Sequence, residues 1–366
     1  MNPTYFLRIR SLAWTGILIA LVSGAAHCEA AATPTRYRQT NLVSNVPGIA
    51  SRFDRLLIGP WGLAVSPTEH LVVANNTSGT YTTYDGAGIR QPSQNKIFGP
   101  PALAASPGPT GVAHNSTDAF ILGGRGALPS PLLFATQAGT ISGEYADPNG
   151  NILQGTILAV DNSRRGAVYT GLAISSPDCC APFIAVANFH SRFIETYTVF
   201  FDPLGIVSSF NDVNLPAGYA PFNIQVIGKQ IFVTYARQNA TKHDPLIGAG
   251  NGIVDIYDLD GGSVKRFASN GQLNAPWGVA KAGPRFGGFS NDILIGNFGD
   301  GTINVFNPIT GAFVGKLTDT TGKTIVIPGL RGIVFGASGI GDSNTLYFTA
   351  STAGQHNLFG SISVAP

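Results

Sequence analysis

The feature that most constrains this chain is a short motif that it uses twice. Residues 59–65 read GPWGLAV and residues 275–280 read APWGVA, and they carry the only two tryptophans beyond the first thirty residues, Trp61 and Trp277. Four weaker copies follow the same pattern: GPTGVAH at 108, VYTGLAI at 168, APFNIQV at 220 and GLRGIVF at 329. The tryptophan position is then held in turn by Trp61, Thr110, Thr170, Phe222, Trp277 and Arg331, at intervals of 49 to 60 residues. A period of this size marks a propeller or a solenoid rather than two unrelated domains.

Each repeat carries further elements. A second run follows the first, as in HLVVANN at 70, FIAVANF at 183 and DILIGNF at 292, and a glycine turn leads to a third, as in GTISGEYADPNG at 139 and GTINVFNPITG at 301. These runs are short, rich in Val, Ile, Phe, Tyr and Thr, and bounded by Gly, Pro, Asn and Asp, which is the pattern of strands. Most repeats continue into a weaker fourth run such as SVKRFAS at 263. Four short strands in each of six units, with no helical periodicity, predict an all-β six-bladed β-propeller. The blades start near residues 60, 109, 169, 220, 275 and 329. The last repeat ends after its third strand, so YRQTNLVS at 37–44 is expected to supply the fourth and close the ring, which removes the open edges of a linear stack.

Composition agrees with a turn-rich folded chain. Charged residues are 11% and hydrophobic residues 44%, with 46 Gly and 24 Pro, so the chain lacks the high charge that keeps disordered segments unfolded. The net charge of +2 has no basic block behind it, and nucleic acid and anionic membrane surfaces are set aside as partners. Residues 1–32 have the order of a secretory signal: Arg8 and Arg10, an apolar run from Leu12 to Ala26, then AAA at 30–32. That run is too short and too rich in small residues for a membrane-spanning helix. The expectation is an exported protein, periplasmic or extracellular, with residues 33–366 forming the propeller. Cys179 and Cys180 are adjacent, and with Cα atoms only about 3.8 Å apart a bond between them is strained, so a buried or terminal thiol pair is the simpler reading beside a vicinal disulfide.

The pattern P-x-G-[LV]-A, then a strand, a glycine turn and an aromatic followed by Asp or Asn, is similar to an NHL-type blade. Residues 214–262 and 291–319 also resemble a bacterial family of exported six-bladed propellers. The resemblance implies fold and export, and it carries over no catalytic residue. Arg331 departs from the pattern, because an aromatic is expected there as at Trp61 and Trp277.

In a propeller the loops entering the first strand and those joining the second to the third open on one face, around the mouth of the central channel. Polar groups converging at such a concave centre are the default binding site. The ligand-binding candidates are Trp61, Trp277, Asn76, Arg192, Arg237 and Arg331. The tryptophans either form an aromatic platform for a sugar or another flat ligand, or pack as a plug. His190, His243 and His356 fall in the mouth loops of three blades, and three imidazoles suit a zinc site; solvated loop histidines are the plainer reading. Asn75, Asn188 and Asn297 end the second strand in blades one, three and five, where their oxygens could ligate Ca2+ or could cap the next turn. No G-x-S-x-G, H-E-x-x-H or C-x-x-C motif occurs. The sequence therefore favours a binding or interaction module for a small molecule, carbohydrate or protein, with a metal-dependent (Ca2+ or Zn2+) hydrolase, lactonase or lyase at the same mouth as the alternative.

Overall fold

The structure, a computed structural model, describes residues 35–66, 70–101, 103, 105–204, 210–337, 339, 343–352 and 356–366. The secretory segment expected at residues 1–32 lies outside them. The described chain forms six sheets in sequence order, the six blades, antiparallel but for one two-residue strand at the edge of the last. Their innermost strands are Pro60–Val65, Pro109–His114, Tyr169–Ser175, Tyr219–Ile227, Pro276–Lys281 and Leu330–Phe335. Each packs against the next, and the sixth packs against the first, so the ring is closed. Among the described residues blade 3 has three strands, and the others have four or more.

Closure uses the N-terminal strand, as the sequence implies. Tyr37–Ser44 runs antiparallel to Asn357–Val364, with Tyr37 opposite Val364 and Ser44 opposite Leu358. The two-residue strand Arg52–Phe53 then adds in parallel outside it, making the last blade five-stranded. That extra strand is too short to leave a period in the sequence.

The second strands are buried along nearly their whole length, because successive residues point to opposite faces and both faces are covered by neighbouring blades. In Leu71–Asn75, Leu71 and Val73 join the core shared with blade 6, while Val72 and Ala74 join the core shared with blade 2. In Phe183–Asn188, Ile184 and Val186 face blade 2, and Phe183 and Ala185 face blade 4. This is why the runs read as unbroken apolar stretches rather than as alternating ones. Six such cores lie between the six pairs of adjacent blades, and a seventh lies on the axis. Outer strands such as Phe313–Lys316 are exposed or half-buried, which accounts for their weak apolar pattern.

The repeated motif has a structural cause. In every blade the pairing between first and second strand shifts register at its central dipeptide: between Pro60 and Leu63, Pro109 and Val112, Tyr169 and Gly171, Pro221 and Asn223, Pro276 and Val279, and Leu330 and Ile333. A bulge re-aims the side chain it carries. The glycine after it sits where neighbouring inner strands nearly touch. A Cβ on Gly278 would stand 2.7 Å from the Arg331 carbonyl oxygen, and one on Gly332 would stand 2.9 Å from that of Trp61. Blade 4 has Asn223 in place of glycine, and its Nδ2 donates to the Trp277 carbonyl at 2.9 Å. Thr110 Oγ1 likewise donates to the Tyr169 carbonyl at 2.8 Å, and Thr349 Oγ1, on the second strand of blade 6, to that of Trp61 at 2.5 Å, so side chains join neighbouring blades near the axis.

Candidate functional site

The six bulges deliver Trp61, Thr110, Thr170, Phe222, Trp277 and Arg331 to the axis. Trp61, Phe222 and Trp277 meet in the axial core together with Phe189, and Phe298 packs against them. The two indoles stand edge to face with ring centres 6.4 Å apart. Trp61 is 8% exposed and Trp277 5%, so their rings form a plug rather than an open platform. Trp277 Nε1 donates to the Thr170 carbonyl at 2.9 Å, reaching from blade 5 to blade 3.

Arg331 takes the place of the expected aromatic by behaving like one. Its guanidinium carbon lies 4.3 Å from the centre of the Trp61 ring and 3.5 Å from that of Phe298, so two aromatic rings lie against the cation. A planar, weakly hydrated guanidinium suits such stacking, and an ammonium does not. Nη1 comes no closer than 3.5 Å to the Gly329 carbonyl, at the limit of a hydrogen bond. Nε is buried without an acceptor, and so is Trp61 Nε1. Burial pulls the guanidinium down from its usual value to about 9, with the Asp244 carboxylate pulling the other way, and at neutral pH it remains a cation. Asp244 belongs to the mouth loop of blade 4, where its Oδ2 is 3.2 Å from Nδ1 of His243.

A second set of residues lies one position after the second strand in blades 1 to 5. The backbone N–H groups of Asn76, Gln137, Phe189, Gln238 and Phe298 donate to Gly59, Gly108, Val168, Gly218 and Ala275, each just ahead of an inner strand. Asn76 Nδ2 donates to Gln137 Oε1 at 3.0 Å and to the Pro109 carbonyl at 3.2 Å. Gln238 Nε2 donates to the Phe189 carbonyl at 2.5 Å. Phe189 and Phe298 were missed in the sequence, although their common place after the strand-ending Asn188 and Asn297 was the signal that marks them.

Arg192 is committed to the seam between blades 3 and 4, with Nε donating to the Tyr219 carbonyl at 2.9 Å. Arg237 is exposed at the end of its strand. Asn188 and Asn297 act as caps: their Oδ1 atoms accept the N–H groups of Val168 at 3.2 Å and Asn274 at 3.1 Å, within their own blades. Asn75 Nδ2 donates to Thr82 Oγ1 at 3.1 Å, and its Oδ1 is buried without a donor. Among the described residues no three His, Cys, Asp or Glu side chains gather as a metal ion needs, so His190, His243 and His356 are not brought into one centre. Cys179 and Cys180 are free and exposed in the loop of blade 3, not buried.

An all-β ring of six blades, its axis plugged by aromatic rings around one arginine, defines the class: a six-bladed β-propeller with a closed axis. No family model matches the chain. It is 32% identical over 330 residues to an uncharacterized protein of Acanthamoeba polyphaga mimivirus, covering 86% of this chain and 77% of that one. It is also 32% identical over 333 residues to a second protein of the same virus, covering 85% and 81%. The chain belongs to the family of these proteins. These relatives are viral, which corrects the bacterial affiliation that the blade motifs suggested.

Solved structures share the fold. A protein of unknown function from Bacteroides thetaiotaomicron superposes with a TM-score of 0.57 at 10% identity, over 91% of this chain and 77% of that one. The soluble aldose sugar dehydrogenase of Escherichia coli in its apo form gives 0.54 at 11%, over 90% and 100%. A streptogramin B lyase gives 0.50 at 11%, over 90% and 97%. At these identities the likeness concerns architecture alone.

Proposed function

We propose that this protein is an exported binding module whose ligand site is the axial mouth around Arg331, built on NHL-like blades. The observation that carries the reading is the guanidinium itself: a half-buried cation at the hub of the ring, flanked by two aromatic rings and with no carboxylate in ion-pair contact among the described residues. A core position that only needed filling is better served by an apolar side chain, since burying a charge costs free energy that an unpaired site does not return. The order of Arg8, Arg10, apolar run and AAA at 30–32 supports export. The metal-dependent hydrolase or lyase alternative draws less support, because among the described residues no three His, Cys, Asp or Glu side chains gather at the mouth.

A thermal-shift screen of the purified protein against organic acids, sugars and lactones tests the reading, paired with metal analysis and turnover assays. The expected result is a saturable shift by one ligand class, lost in Arg331→Met, with no turnover. Stoichiometric Ca2+ or Zn2+ lost in His190→Ala or Asn188→Ala, together with hydrolysis of a lactone, overturns it in favour of the enzyme. Mass analysis of protein secreted from the full-length chain checks export: the mature N-terminus is expected near Ala30 to Ala32.

A further inference from the structure

The two orphaned donors on the axis specify more than a site. Trp61 Nε1 and Arg331 Nε are buried, lack acceptors among the described residues, and belong to side chains in direct contact, with the guanidinium 4.3 Å from the indole ring centre. Trp61 is more than nine-tenths buried. Trp277, at the equivalent position of blade 5, has its indole N–H satisfied by a carbonyl, so an unmet donor is not a general property of the plug. Buried N–H groups are almost always paired, and leaving one unpaired costs about 1–3 kcal/mol. Two of them on contacting side chains, one a cation, call for an acceptor that carries negative charge.

Resting on the binding-module reading, we infer that the axial site holds the carboxylate of a small organic acid, whose oxygens accept from Nε–H of Arg331 and Nε1–H of Trp61. Trp61 and Phe298 lie against the guanidinium, and a hydrogen bond from a cation to a carboxylate oxygen is shorter and stronger than one between neutral groups. The rings against the guanidinium, Trp61 and Phe298, are aromatic, and an acid with an apolar body is the match for them. A singly charged group also loses less hydration on entering such a site than a doubly charged phosphate.

Titration with benzoate, followed by tryptophan fluorescence and melting temperature, tests the assignment, with benzamide as the neutral analogue and inorganic phosphate as the other oxyanion. Benzoate is expected to bind saturably and benzamide not. Arg331→Met is expected to abolish binding, and Trp61→Phe, which keeps a ring but removes the N–H, to weaken it about tenfold, the equivalent of one hydrogen bond. The Phe variant keeps the test open if the Met variant does not fold. Phosphate binding in place of benzoate, or benzoate binding unchanged in both variants, overturns the carboxylate assignment. A sugar or lactone bound independently of Arg331 also overturns it while leaving a binding module in place; absence of any ligand in the broad screen removes the module as well.

Discussion

At the scale of single residues, the central dipeptide of each repeat does two jobs: its first residue points to the axis, and its second lets two inner strands come together. Gly278 is a clear test of the second job. An added Cβ meets the Arg331 carbonyl oxygen at 2.7 Å, Ile333 Cγ1 at 2.8 Å and Ile333 N at 3.0 Å, and backbone atoms cannot rotate out of the way. Gly278→Ala is expected to lower stability by about 1–3 kcal/mol in urea denaturation, the usual cost of overpacking. Gly124→Ala serves as control, because nothing lies within 4 Å of its Cβ, and it should be close to neutral. Equal effects at the two positions would refute the close-approach argument. The glycine and the tryptophans could be read from the sequence because they recur. The role of Arg331 could not, since it follows from Phe298, a residue of a neighbouring blade 33 positions earlier in the chain, closing over the guanidinium. Asn188 and Asn297 were equally ambiguous, because an amide that caps a backbone N–H and one that ligates a cation look alike until the backbone is placed.

At the scale of elements, the legible parts were those that neighbours bury on both sides. Second strands such as Ile293–Asn297 announce themselves because Ile293 and Ile295 pack towards blade 4 while Leu294 packs towards blade 6. Outer strands carry little signal, since solvent on one side removes the demand for an apolar residue. The closing strand is the exception, legible by counting, because the last repeat lacked a fourth strand. Its anchor is Tyr37, fully buried, with its hydroxyl donating to the Phe286 carbonyl at 3.0 Å and its ring stacked on Phe289 at 6.0 Å. Tyr37→Ala is expected to cost about 3–5 kcal/mol, as for other large aromatic truncations. Deleting residues 37–46 removes the strand paired to Asn357–Val364 and should lower the melting temperature sharply. A deletion variant that melts like the parent would show that the ring does not depend on this closure.

At the scale of the whole molecule, stability rests on six equivalent seams, and two of these hide carboxylates whose ionisation opposes the fold. Glu144 of blade 2 is 5% exposed and accepts the Tyr81 hydroxyl of blade 1, with burial pushing it from 4.5 to about 7. Asp255 is fully buried beside Tyr235, Tyr257, Arg266 and Asp212, and burial raises it from 3.8 to about 6 although Arg266 Nε donates to it at 2.5 Å. Both groups hold a proton more tightly folded than unfolded, so the folded state binds more protons within those windows. Stability is then greatest below the ordinary carboxylate values and falls as pH rises through the raised ones. For Glu144 the interval from 4.5 to about 7 corresponds to roughly 3 kcal/mol. Asp147, Asp178 and Asp319 are shifted downwards and act in the opposite sense, but they are exposed and their window lies at more acid pH; His114, lowered by partial burial, also opposes within the window, and the two deeply buried carboxylates outweigh it. The urea midpoint is therefore expected to be higher at pH 5 than at pH 8. Glu144→Gln, which keeps an acceptor for Tyr81 and cannot ionise, should lose much of that difference by gaining stability at pH 8. A wild-type midpoint that rises from pH 5 to pH 8, or a Gln variant with the full wild-type slope, would show that the seam between blades 1 and 2 tolerates the charge.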